Sequence, residues 1–142
     1  MANAIQAKRV RSGSHGSCWL NGELAMECYG LQIKVNKNKE KVPRCGAFME
    51  GSKLMSANIT GTVKLYNATS RLIAAQSDAL RSGQDTTFTI ISKLDDPDAT
   101  SVQRVQVSGV SFDDLTLADW EAARLGTIEA AFTAEDYQVL EY

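Results

Sequence analysis

The sequence predicts a mainly β (α+β) domain, an antiparallel β-sandwich or half-barrel flanked at one edge by a single α-helix. Several segments alternate apolar and polar residues with a period of two, the mark of half-buried strands. Only one segment, about Ser70 to Ser82, places its apolar residues at helical spacing. Ten glycines and two prolines serve as turn punctuation, and no linker, low-complexity stretch or internal repeat interrupts the chain. With 142 residues, 44% hydrophobic and 23% charged, one domain around one core fits the whole chain, 1–142.

The elements follow in order. Residues 1–15 read as an N-terminal arm. Trp19–Leu24 predicts a hairpin, because Asn21-Gly22 is the favoured pair where both central residues need positive φ. The next strand runs to about Asn36, with Tyr29, Leu31, Ile33 and Val35 on one parity. Residues 36–53 are basic and contain Pro43, Gly46 and Gly51, so they read as a long exposed inter-strand loop. Ala57, Ile59, Gly61, Val63 and Leu65 then alternate with Asn58, Thr60, Thr62, Lys64 and Tyr66 in the clearest strand of the chain. In the helix, Leu72, Ile73, Gln76, Ala79 and Leu80 share a face. Thr69 is the expected N-cap and Gly83 the left-handed stop. Thr86–Leu94 is a β-branched strand, and Asp95–Asp98 turns the chain. Val105 and Val107 share one parity and Val110 and Phe112 the other, so a β-bulge is expected at Gly109. The final strand places Ile128, Ala130, Phe132 and Ala134 inside, and its parity shifts near Asp136.

Most chemistry classes find no residues to carry them. His15 is the single histidine and sits between glycines near the N-terminus, so a His-based nucleophile pair or metal site has nothing to recruit. Cys18, Cys28 and Cys45 are odd in number, lack CxxC spacing, and read as reduced thiols. The Asp95/Asp96/Asp98 group has Thr100 and Gln106 where a calcium loop needs Gly and Glu, so it reads as a turn. Asp113, Asp114, Asp119 and Glu121 read as solvated charges. No phosphate-binding glycine loop occurs. The expectation is a non-enzyme with no cofactor. The N-terminus lacks a signal-peptide core and no apolar run approaches the roughly 20 residues of a membrane span, which predicts synthesis in a cytoplasm.

Charge is unevenly distributed. Residues 1–53 hold nine Lys/Arg against four Asp/Glu, whereas residues 113–142 hold one Arg against eight acidic residues. A chain with a basic end and an acidic end can attract copies of itself head to tail, and head-to-tail contacts that do not close make filaments.

Three stretches, Ser92–Asp98, Phe112–Trp120 and Gly126–Thr133, together with Gly61–Tyr66 and the Ser12-Gly13…Trp19–Gly22 opening, resemble the tail tube proteins of PBSX-like prophages and of diffocin-type contractile bacteriocins. The likeness covers nearly the whole chain in order; Ala131 departs from the proline the family often has there. It implies a tail-tube fold, a β-sandwich or barrel with one helix, whose six-membered rings join their sheets into one barrel around a channel and stack inside a contractile sheath. The partners it implies are copies of the chain itself, the sheath protein, and baseplate and terminator proteins. DNA would only pass through the lumen, and the target membrane would be reached through the tail tip. The particle would be assembled in the host bacterial cytoplasm. On this reading Lys37, Lys39, Lys41, Arg44 and Phe48 are candidates for ring stacking. Asn58, Thr60, Thr62, Lys64, Glu129 and Glu135 are candidates to face the lumen, where fixed carboxylates would repel phosphates. The alternatives are a small β-barrel binding module, or a related ring protein such as a secretion-system tube or tail terminator.

Overall fold

Asn21 and Gly22 both adopt positive φ, 52° and 83°, and close the tight hairpin that opens the fold. A computed structural model describes residues 4–142. The hairpin joins β1 (Gly16–Leu20) to β2 (Glu23–Leu24). There follow β3 (Cys28–Val42), β4 (Gly51–Tyr66), helix α1 (Arg71–Arg81), β5 (Phe88–Leu94), β6 (Gln103–Phe112), β7 (Thr127–Ala134) and β8 (Asp136–Glu141).

The strands run antiparallel in the order β2-β1-β5-β6-β7-β4-β3, with β8 beside β6, and the sheet does not close on itself. Strand β6 belongs to both halves. Its first residues pair with β5 and β8, while Ser111 and Phe112 pair with Thr133 and Phe132 of β7. The expected bulge makes this switch possible. Phe88 pairs with Val110 but Ile90 with Val107, so β6 carries one extra residue, and Gly109 takes φ 64°.

The core draws on both halves. Ile90, Val107 and Val110 from one, and Val63 and Phe132 from the other, are fully buried. Phe88, Phe112 and Phe132 stack edge to face in a row, with centroids 5.2 and 6.0 Å apart. Gly61 pairs with Phe132 across the β4–β7 ladder, and a Cβ there would lie 2.5 Å from the ring and 2.2 Å from the Gln32 carbonyl oxygen. Glycine lets the ring lie down on the β4 backbone.

Four sequence expectations are corrected. Residues 36–53 are not a long loop: β3 continues to Val42 and β4 begins at Gly51, leaving only 43–50 as turn. Residues 36–41 are all polar because this ribbon extends past the core, which hid its strand character. Thr69 does not cap α1. Ser70 occupies the N-cap without a side-chain bond, and the Thr69 hydroxyl donates to Glu27 instead. Leu80 is 46% exposed, so Leu72 and Gln76 carry the helix's buried face. The last strand is two, because Glu135 interrupts it, and β8 then continues along the same edge of β6 that β7 meets at Ser111 and Phe112. Gly83 does end the helix in the left-handed region, φ 77°.

Replacing Gly61 by Ala should cost about 1–3 kcal/mol through overpacking against the Gln32 carbonyl and Phe132, read as a lower urea midpoint. An unchanged midpoint would show that the close approach is not required.

Candidate self-assembly interface

Strand β4 has 16 residues but β7 has 8, and β7 pairs only with Ile59–Tyr66. Beyond that point β4 is paired with β3 alone, from Asn36–Asn58 out to Val42–Gly51. The result is a two-stranded ribbon reaching about 25 Å past the sheet, at about 3.3 Å per residue. A two-stranded hairpin is marginal in water by itself. Side-chain bonds from Asn36 to Thr60 (2.8 Å) and Asn38 to Ser56 (3.0 Å) brace one face. A register shift at Asn38/Lys39 leaves one extra residue on β4.

The structure gathers the five candidate stacking residues on this ribbon. Lys37, Lys39 and Lys41 continue the parity of Leu31, Ile33 and Val35 after the core has ended, so they stand in solvent. Arg44 lies in the turn and donates to the Met49 carbonyl at 3.0 Å. Phe48 is 99% exposed at the tip, next to Met49. Lysines along a free edge strand also discourage unplanned pairing.

Of the six candidate lumen residues, five share one surface. Asn58, Thr60, Thr62 and Lys64 occupy the non-core face of β4, and Glu129 of β7 sits opposite Lys64. Across β3 the same face continues through Asn36, Lys34 and Gln32. Glu135 lies at the break between β7 and β8, where its backbone N–H donates to the Ser108 carbonyl and its side chain lies over Gly109. The face is therefore polar with mixed charge, Lys34 and Lys64 against Glu129.

At the other end of β3 and β4 the helix is tied down by charge. Arg71 donates to Glu27 at 2.8 Å and to Glu23 at 3.1 Å, and the Glu27 side chain is 7% exposed. The Arg71 guanidinium holds the Glu27 carboxyl below its ordinary 4.5, against the opposing effect of its burial, and the Arg71 pKa is raised in return. Sequence reading missed this clamp because its members are 44 and 48 residues apart. Cys18, Cys28 and Cys45 are free thiols. Cys18 is pushed up by its hydrogen bond with Cys28 and by burial, so it keeps its proton. The N-terminal arm, as far as residues 4–15 describe it, lies along the β5–β6 turn. Asp96 accepts from the backbone N–H groups of Asp98 (2.9 Å) and Ser12 (2.8 Å), which pull its carboxyl below its usual range. Arg11 adds a bond to the Ser101 hydroxyl at 2.8 Å. Residues 1–3 of the expected arm lie outside the described residues. His15 is exposed, and its carbonyl accepts from Asp95.

Residues 3–141 match the family described as phage tail tube protein. The chain is 34% identical over 141 residues to the phage-like element PBSX protein XkdM of Bacillus subtilis (strain 168), covering 97% of this chain and 95% of that one. Its fold resembles the cap that terminates the tube of the anti-feeding prophage, with a TM-score of 0.72, 14% identity, and 100% and 97% of the two chains covered. It also resembles a chain of the sheath–tube complex of the extracellular contractile injection system PVC, with a TM-score of 0.63, 14% identity, and 97% and 93% covered.

The clamp predicts an acid response. Glu27 has a folded pKa below its unfolded value, so its contribution is present above about pH 4.5 and lost as pH falls through the lower folded value. At neutral pH, E27Q should lower stability by on the order of 1 kcal/mol, and its urea midpoint should fall less steeply below pH 4.5 than that of the parent. Parallel curves would remove Glu27 from the account.

Proposed function

The chain belongs to the phage tail tube family and is a structural subunit of a phage-like tail tube, and on that premise we propose how its surfaces build one. Copies join side by side in six-membered rings, and rings stack into a hollow tube within a contractile sheath that drives it through a target envelope. The observation that carries this reading is the unsatisfied β3–β4 pair. The outer edge of β3 and both faces of the ribbon lack partners within the described chain, and a barrel formed across copies is the arrangement that removes free edges.

In this arrangement the polar face of β3, β4 and β7 lines the channel through Asn58, Thr60, Thr62, Lys64 and Glu129. Mixed charge suits a channel that DNA or another cargo crosses without lodging. The ribbon, with Lys37, Lys39, Lys41, Arg44 and Phe48, reaches the acidic side of the next ring. Sheath, baseplate and terminator proteins are the other partners; relatives in fold occur in a sheath–tube complex and a tube-terminating cap. The role is structural and non-catalytic, with no cofactor, and the subunit is made in the bacterial cytoplasm before assembly. A terminator ring is the second reading, favoured by the higher fold similarity to the cap. At 14% identity both likenesses concern fold alone, and the family match supports the tube.

Charge reversal tests the stacking role. K37E, K39E and K41E together should leave the subunit folded, because exposed positions away from special contacts change stability by only about 0.5 kcal/mol or less. Sedimentation should show tube growth falling by on the order of tenfold, most strongly at low salt. Growth equal to that of the parent chain would contradict ribbon-mediated stacking.

A further inference from the structure

We propose that the groove between α1 and the 114–120 segment is the socket that receives the Phe48–Met49 tip of a second copy's β3–β4 hairpin. The proposal rests on the tube reading and names the contact that reading leaves open.

Size, chemistry and position each support the match. The groove encloses about 210 Å³, and a cavity of about 150 Å³ lined by apolar side chains is enough to hold benzene. Its walls are Leu65, Leu72, Leu115 and Ile128, while Leu117 (70% exposed) and Trp120 (82% exposed) stand at its mouth. The Glu27 and Arg71 charges in its wall cancel each other at 2.8 Å, so a phenyl ring meets no lone buried charge. Phe48 is an exposed aromatic with no partner among the described residues of its own chain, and exposed apolar clusters rimmed by polar residues mark interaction sites.

Electrostatics favour the same approach. Asp114 and Asp119 line the groove, with Asp113 and Glu121 adjoining in sequence; Asp119 is the one already bound, to Arg124 at 2.6 Å. Lys37, Lys39, Lys41, Arg44 and Lys53 line the hairpin that carries the tip and outnumber Glu40 and Glu50. Opposite potentials on two patches guide docking and fix register.

Position makes the contact repeat. Leu65 and Tyr66, at one end of β4, line the groove, and Gly51, at the other end, adjoins the tip. The two are separated by the length of a 16-residue strand, about 50 Å at the usual rise. One copy's tip therefore enters the next copy's groove while its own groove stays free, a heterologous contact that propagates.

The exposed thiol of Cys45 in the hairpin turn makes the contact testable. Tubes built from L117C subunits are treated with a short bismaleimide and run on denaturing gels, with micrographs of the same samples. The expected result is a ladder of dimers, trimers and higher species that disappears when C45S is added. F48A should raise the concentration needed for tube growth by on the order of tenfold. Tubes without a ladder, or a ladder that survives C45S, overturn the socket while leaving the tube reading standing. Cross-linking of L117C to sheath subunits instead of to copies of itself also overturns it. A chain that never forms tubes, alone or with its tail components, sinks the tube reading and the socket together.

Discussion

The mismatch in length between β4 and β7 is the constraint on which the structure depends. Where β7 ends, β4 has eight more residues, and only β3 follows it outward. Inside the sheet, β4 is flanked on both sides and covered by the core. Outside, the same strand keeps one ladder and loses everything else. The ribbon's backbone edge and apolar tip then have to find partners beyond the subunit, because water is a poor substitute for a packed face.

The rest of the fold anchors that projection. Phe132 lying on Gly61 fixes β4 against β7 close to where the ribbon leaves, so the arm springs from a closely packed part of the core. The bulge at Gly109 lets β6 serve both halves of the sheet, which brings Phe88, Phe112 and Phe132 into one row. At the opposite end, the bonds of Arg71 to Glu23 of β2 and to Glu27 just before β3 tie α1 down, and Glu27 and Arg71 line one wall of the groove. The apolar hairpin tip and the groove beside α1 thus lie at opposite ends of one pair of strands.

Much of this was legible in the sequence because the signals are local. The Asn21-Gly22 turn, the alternation from Ala57 to Leu65, the Gly109 parity shift and the Gly83 stop each need only neighbouring residues, and each is where the residues put it. The family's order of motifs was legible too, and the family match bears it out. Residues 36–42 were misread because a strand that projects beyond the core has no apolar face to announce it. Thr69 was misread because Glu27, distant in sequence, competes for its hydroxyl. Glu135 shares parity with Glu129, but it sits at the break between β7 and β8, where its side chain lies over the Gly109 bulge. The groove left no sequence signal at all, since its walls come from β4, α1, the 114–120 segment and β7.

Amide hydrogen exchange, compared between free subunit and assembled tube, tests the central claim most directly. The account predicts that amides of residues 36–58 exchange quickly in the free subunit, as a two-stranded ribbon in water should, while those of Ile90 and Val107 are protected in both states. On assembly, protection should appear along the ribbon. Slow exchange of the ribbon in the free subunit would show that it needs no partner, and a ribbon still unprotected in assembled tubes would show that other surfaces hold the copies together.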